Sequence, residues 1–391
     1  MRRLLGRVVL TAVLAVLPAS FVGARVSDTS AARPAAAGTR LSTITLPDGS
    51  RHTLAAPGGL RVTLYATGLP SARFLALGPR GDVFVGSWTA GTVSVLLNRS
   101  GGTHATRVVT LLSGLTVPHG VAYHDGRLYV AEEGRVTSYR YDPTTARLDD
   151  ARTVVAALPT GGRHVTRTVA FGPDGMLYVS VGSSCNECVD APGRAVIMRY
   201  RPDGTGGEVY AWGLRNAVGL AWQPGTGRLW ATDNGEDNLG DNIPPDEVDI
   251  IRQGGDYGWP YCYGAGQADP TLASSSRYCA RTIAPVVALQ AHSAPLGAAF
   301  ATGGLVPAPY RGSLVVAYHG SASRSQLTGY KVVSILVSGA HAGAPRDLVT
   351  GWLNGSVVWG RPVGVLVAAD GALLISDDLA GVVYRLAPMG R

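Results

Sequence analysis

Asp174-Gly175-Met176-Leu177-Tyr178-Val179 decides the fold, because five other stretches of the chain read the same way. They are Gly81-Asp82-Val83-Phe84-Val85-Gly86, Asp125-Gly126-Arg127-Leu128-Tyr129-Val130, Thr226-Gly227-Arg228-Leu229-Trp230-Ala231, Arg311-Gly312-Ser313-Leu314-Val315-Val316 and Asp370-Gly371-Ala372-Leu373-Leu374-Ile375. In each, a glycine-containing turn supplies the backbone freedom a hairpin needs, and an apolar strand rich in β-branched or aromatic residues follows. Turn positions 82, 125, 174, 227, 312 and 370 are 43, 49, 53, 85 and 58 residues apart. Strand patterning at such a period indicates propeller blades rather than solenoid turns. Six copies predict an all-β, six-bladed β-propeller of four-stranded antiparallel sheets. The long fourth interval reads as an insertion around Cys262 and Cys279, and Thr43 to Ala66 is expected to close the ring against Gly381–Leu386. A pair of β-sandwiches is the competing architecture, which regular recurrence disfavours.

Composition fits that reading. The 391 residues are 46% hydrophobic and only 16% charged, with 52 Gly and 24 Pro, as many short strands and tight turns require. At the N-terminus, Arg2, Arg3 and Arg7 precede an apolar run from Val8 to Leu17 and a small-residue region to Ala24, the pattern of an export signal. The run is too short to span a bilayer, which takes about 20 residues. Residues 1–24 are therefore expected to be a signal peptide, 25–42 a flexible linker and 43–391 a single propeller domain, secreted or periplasmic. Cleavage removes three arginines from a net charge of +7, leaving +4, and no basic run points to nucleic acid. In an oxidising compartment the four cysteines favour disulfides, most simply Cys185–Cys188 and Cys262–Cys279; zinc held by the Cys-x-x-Cys pair is the alternative.

Chemistry on a propeller belongs to the loops at the channel mouth. His164, flanked by Arg163 and Arg167, has the residue type of a base working near neutral pH. His119 and His292 occupy comparable places between strands. Arg215-Asn216 offers directed donors to a planar, carboxylate-bearing ligand, although a loop-stabilising pair is the plainer account of those two residues alone. The run from Asp233 to Asn242, with Asp246 and Glu247 after it, is dense in the oxygen donors that calcium prefers, without EF-hand spacing. A solvated acidic loop is the alternative.

Taken together, His164-x-x-Arg167-Thr168, Phe171-Gly172-Pro173-Asp174-Gly175, Ser183-Ser184-Cys185-Asn186, Gly213-Leu214-Arg215-Asn216, Gly255-x-Tyr257-Gly258-Trp259-Pro260, Ala291-His292-Ser293-Ala294-Pro295 and Gly360-Arg361-Pro362 resemble the soluble quinoprotein glucose/sorbosone dehydrogenases, the sorbosone-type branch in particular. The resemblance runs from about Leu46 to Leu386. It implies a propeller that binds pyrroloquinoline quinone and calcium and oxidises a sugar, aldose or polyol. By that resemblance His164 is the base, while Arg215 polarises the quinone carbonyl with calcium. Asn216 and Arg361 bind the cofactor, with Arg324 and Lys331 as further candidates for its carboxylates. The carbonyls of Gly235 and Glu236 match ligands of the calcium beside the cofactor. Glu247 and the Tyr257 carbonyl match ligands of an additional calcium. Two positions depart from the family: Ser183 stands where glucose-type members carry Asp, and Ala322-Ser323-Arg324 stands where relatives commonly have Trp-Asn-Arg. No Cys-x-x-Cys-His motif marks a haem domain, so electrons are expected to pass to a separate carrier. Two other functions share the fold: a non-catalytic carbohydrate- or protein-binding propeller, and a metal-dependent hydrolase or lactonase. The last needs carboxylate and Asn ligands converging from several blades, whereas here the acidic residues concentrate in one loop.

Overall fold

The computed structural model describes residues 38–272 and 276–389; the expected signal and residues 25–37 of the expected linker lie outside the described residues. Each of the six turn–strand repeats forms the first turn and second strand of one blade. Blade 1 is built from Ala72–Leu77, Val83–Ser87, Thr92–Leu97 and Arg107–Leu112, paired in chain order. Blade 2 spans Gly120–His124 to Arg147–Val155 and blade 3 Arg167–Phe171 to Glu208–Trp212. Blade 4 spans Ala217–Trp222 to Val287–Ala288 and blade 5 Pro295–Phe300 to Arg346–Val349. Blade 6 takes three strands from the C-terminal end, Pro362–Val367, Leu373–Asp377 and Val382–Pro388. Its fourth comes from the N-terminal side: Leu60–Ala66 pairs antiparallel with Val382–Pro388 and closes the ring.

The repeat is visible in the sequence because the second strand of a blade lies between neighbouring sheets. Five of the six are buried at every position, so both faces must be apolar or small. In blades 2, 3 and 4 the second strand reaches the first strand of the next blade through an aromatic contact at a recurring place. Tyr129 meets Phe171 at 4.8 Å, Tyr178 meets Trp222 at 5.1 Å and Trp230 meets Phe300 at 5.8 Å between ring centroids, all steeply inclined. The six first strands line a central channel of about 370 Å³. Adjacent first strands come so close that a Cβ at Gly297 would lie 2.5 Å from the Val363 carbonyl oxygen, and one at Gly219 would lie 2.3 Å from that of Leu296. Glycine is the residue that permits this approach.

Two boundaries differ from expectation. The closing strand is Leu60–Ala66 alone, because Pro47-Asp48-Gly49 and Gly58-Gly59 break the preceding sequence with turns. The residues before it form a separate hairpin, Thr39–Thr45 with Arg51–Pro57, that takes in the last positions expected of the linker. Its Ile44, Leu54 and Ala56 are buried in one cluster with Trp352, and Ala55 pairs with Thr350 at the outer edge of blade 5. The long fourth interval is the insertion expected: Gly255–Asp256 adds a short parallel strand to blade 3, and a Cys262–Cys279 disulfide ties the excursion together before Val287–Ala288 completes blade 4.

Candidate active site

Every first strand begins at the same end of the ring, so the residues just before them gather around one channel mouth. Blade by blade these are His119, His164, Arg215 with Asn216, His292 and Arg361, with Arg73 at the second position of the first strand in blade 1. The turns between second and third strands overhang the same end, and they contribute Ser183 to Cys188, Asn234 to Asp246 and His319 to Arg324.

A cavity of about 280 Å³ opens there, lined by Arg163, His164, Arg215, Asn216, Asn234, Gly235, Asp237, His292 and the small residues Ser321, Ala322 and Ser323. His164 is held from two sides. Arg167, fully buried, donates from Nη1 to the His164 carbonyl at 2.8 Å and to that of Thr166 at 2.8 Å. The His164 Nδ1 lies 3.0 Å from the Ser183 carbonyl and 2.8 Å from Ser183 Oγ, and that hydroxyl donates to the Cys185 carbonyl at 2.8 Å. With its proton spent on Cys185, Ser183 presents only acceptors, so Nδ1 carries the imidazole hydrogen and Nε2 keeps a free lone pair. Burial first, and then the charge of Arg215, press the His164 pKa down to about 3, so the ring is neutral at ordinary pH. Serine at 183 thus fills the orienting role with neutral acceptors. The backbone is close here as well: a Cβ on Gly182 would lie 2.7 Å from both His164 Cβ and Asn216 Oδ1.

Arg215 is buried beside it. Its Nε donates to the Asn186 carbonyl at 2.9 Å, Nη2 to Asn186 Oδ1 at 2.9 Å, and Nη1 to the carbonyls of Asn234 at 3.1 Å and Gly235 at 2.8 Å. Its guanidinium also lies over Trp259, 5.5 Å from the ring. Asn216 sits against Asn234 at 3.4 Å. Asp246 accepts from the amides of Gly235 and Ala294, both at 2.9 Å, and so anchors the loop that carries Gly235.

The residues expected to hold metal fall into two neighbouring places. Gly235 lines both the cleft and a second, enclosed cavity of about 30 Å³ whose walls include Asp233, Glu236, Glu247, Tyr257 and Asp269. Both carboxylate oxygens of Glu236, and both of the fully buried Asp249 nearby, lack a hydrogen-bond partner. Burial and the facing Asp269 push Glu236 up to about 8, and burial pushes Asp233 up to about 6. Burial and the charge of Asp233 raise Glu247, and burial with the charge of Glu247 raises Asp249. Buried carboxylates without donors are costly unless a cation neutralises them, and a carbonyl-and-carboxylate set is what calcium takes. The chain's own residues therefore fit calcium.

The expected cationic residues are dispersed. Arg361, half-exposed, donates from Nε to Asp378 at 2.8 Å. Arg324 spans the acidic loop instead, bonding the Asp241 carbonyl and, at 3.1 Å, Asn242 Oδ1. Lys331 pairs with Asp347 at 2.7 Å along the outer strands of blade 5 and does not line the cleft. Four mouth residues, Arg73, His319, Asp378 and Asp237, had no signal of their own in the sequence. Arg73 and His319 join Arg361 on Asp378, at 2.8 and 3.0 Å, making a four-residue charged cluster beside the cleft. Asp237 ties Arg163, Ser323 and the His292 ring together across the cavity. Both expected disulfides form, so Cys185 and Cys188, the pair weighed for zinc, are joined to each other.

Comparison with known proteins agrees with the geometry. A pyrroloquinoline quinone-dependent sugar dehydrogenase of Hypocrea jecorina is 28% identical over 393 residues, spanning 85% of this chain and 88% of its own. The calcium structure of a Trichoderma reesei Carbohydrate-Active Enzymes Family AA12 protein superposes with a TM-score of 0.75 at 25% identity, covering 88% of this chain and 98% of that one. The PQQ-bound aldose sugar dehydrogenase of Streptomyces coelicolor superposes with a TM-score of 0.61 at 25% identity, covering 85% and 99%. The TrAA12-like family pattern matches residues 54–388, nearly the whole ring. The chain therefore belongs to the TrAA12-like family, among the soluble pyrroloquinoline quinone-dependent sugar dehydrogenases.

Proposed function

We propose that this propeller is an exported oxidoreductase that uses pyrroloquinoline quinone and calcium to oxidise a sugar or polyol, of aldose or sorbosone type, and passes the electrons to a separate acceptor. The observation that carries the reading is a neutral imidazole, His164, with a free Nε2 in a cleft it shares with the Arg215 guanidinium. When bound, pyrroloquinoline quinone supplies the electrophilic carbonyl that accepts two electrons from the substrate carbon. His164 Nε2 takes the proton of the substrate hydroxyl, and the Ser183 acceptors on Nδ1 stabilise the imidazolium that results. Arg215, with four of its five N–H groups held by the protein, directs its charge and the remaining Nη2 hydrogen at the oxygen where negative charge develops, and Trp259 with the buried loop around it keeps water from that charge. Asn216 orients the same edge. The carbonyls of Gly235 and Glu236 would hold the calcium beside the cofactor, with Glu247 and the Tyr257 carbonyl holding a second ion in the enclosed cavity. Arg361, with Arg324 as a weaker candidate, would meet cofactor carboxylates, whereas Lys331, held by Asp347 away from the cleft, would not.

The two disulfides support an oxidising destination. Among the described residues no helix is long and apolar enough to cross a membrane. Small residues at 321–323 leave the cleft broad, which suits a hydroxyl-rich substrate without an aromatic clamp. The test is dye-linked oxidation across a panel of aldoses and polyols. His164→Ala should lower kcat by about 10²- to 10⁴-fold. Binding of the cofactor without turnover of any sugar, or turnover indifferent to His164→Ala, would favour a binding propeller.

A further inference from the structure

Asn186 belongs to no role in the reaction, yet its side chain makes three hydrogen bonds behind the cleft. Its Oδ1 accepts from Arg215 Nη2 at 2.9 Å and from the Asp237 amide at 2.9 Å, while Nδ2 donates to the Asp237 carbonyl at 3.0 Å. Its backbone carbonyl accepts from Arg215 Nε at 2.9 Å. Two of the three guanidinium nitrogens therefore rest on one residue, and the third, Nη1, rests on the Asn234 and Gly235 carbonyls. The carboxamide cannot be flipped, because both its oxygen contacts are donors and its nitrogen contact is an acceptor. Its position is restricted in turn. Asn186 sits inside the four-residue loop closed by the Cys185–Cys188 disulfide. The first carbonyl of that loop accepts the Ser183 hydroxyl that orients His164.

We infer that Asn186 is a positioning residue for Arg215: it fixes the plane of the guanidinium, and the disulfide loop holds Asn186 and the Ser183–His164 pair in a common register. The inference rests on the reading of Arg215 as a cofactor-directed group. An arginine with four of its five N–H groups engaged meets its ligand through the remaining one without losing side-chain freedom at the moment of binding. Truncating Asn186 leaves Nη2 without its acceptor and releases Asp237 from the loop.

The experiment is a double-mutant cycle on pyrroloquinoline quinone affinity, read by quenching of tryptophan fluorescence in calcium buffer. The four proteins are wild type, Asn186→Ala, Arg215→Lys and the double variant, with thermal melts alongside. Asn186→Ala should weaken binding by about 10- to 100-fold, as loss of a supporting partner commonly does. In the Arg215→Lys background it should add less than about twofold, because a residue acting only through Arg215 has nothing left to position. Asn186→Asp keeps the acceptor for Nη2 and should lose less affinity than Asn186→Ala, which preserves the test if the alanine variant folds poorly. Additive losses in the cycle, or unchanged affinity in Asn186→Ala, would overturn the inference while leaving the cofactor reading intact. Wild type that fails to bind would instead overturn the cofactor reading, and this inference with it.

Discussion

His119 shows what burial does to an ionisable residue at this mouth. Its Nδ1 accepts from Arg73 Nε at 3.2 Å, so Nε2 carries the hydrogen, and that atom is buried without a partner. Burial, reinforced by the charge of Arg73, presses its pKa well below the ordinary value, and burial lowers His164 and His319 in the same direction. In the unfolded chain these imidazoles take up protons below about pH 6.5, whereas in the fold they resist. At these imidazoles the unfolded state binds more protons, so their contribution to stability falls as the pH drops below that value. Between about pH 6.5 and 4.5 calorimetric melts should show the Tm of His119→Gln rising relative to that of wild type as the pH falls, on top of the opposite contribution of the raised carboxylates; a constant difference would remove His119 from the account. At this scale the sequence was legible where a motif is local. His164 with Arg167, and Arg215 with Asn216, are near neighbours in the chain. Arg73 and Asp378 are 305 positions apart, and no local pattern marks that contact. Asp237 was equally hidden: in the sequence it is one acidic residue among several, and only its partners from three other loops distinguish it.

The turn and second strand of each blade are the most readable elements, because being buried on both faces demands apolar residues in continuous runs. Outer strands carry weaker patterns: Arg147–Val155 is exposed along most of its length and resembles no repeat. The N-terminal hairpin was missed for a related reason, since its alternation serves the outer edge of blade 5 rather than the ring. The insertion after blade 4's third strand has a definite purpose in the account. It brings Tyr257, Trp259 and Asp269 around the enclosed cavity, and the Cys262–Cys279 disulfide closes it over a separation of 17 residues. A loop of that size contributes about 3 kcal/mol by restricting the unfolded chain. The Cys262→Ala/Cys279→Ala variant should therefore melt at lower temperature and should need more calcium to recover the same Tm. A variant with an unchanged calcium requirement would detach the insertion from metal binding.

For the molecule as a whole, stability depends on closing the ring, since each blade buries its faces only against its neighbours. The strand Val382–Pro388 lies between Leu60–Ala66 and Leu373–Asp377, so it is an interior strand of blade 6 although it ends the described chain. Truncation after Ala380 should abolish soluble, cooperatively melting protein; a truncated chain that melts like the full one would contradict this closure. Closure also explains why one mouth collects residues from all six blades, and why the order of motifs along the chain predicts their order around the cleft.

The central claim is that this mouth binds pyrroloquinoline quinone with calcium, and it is tested most directly by titrating the metal-free protein with the quinone, with and without calcium. The account predicts saturable binding at one quinone per chain that calcium strengthens and Arg215→Ala weakens. A well-folded protein that fails to bind the quinone in calcium, or binds it equally well without calcium and with Arg215→Ala, would contradict it.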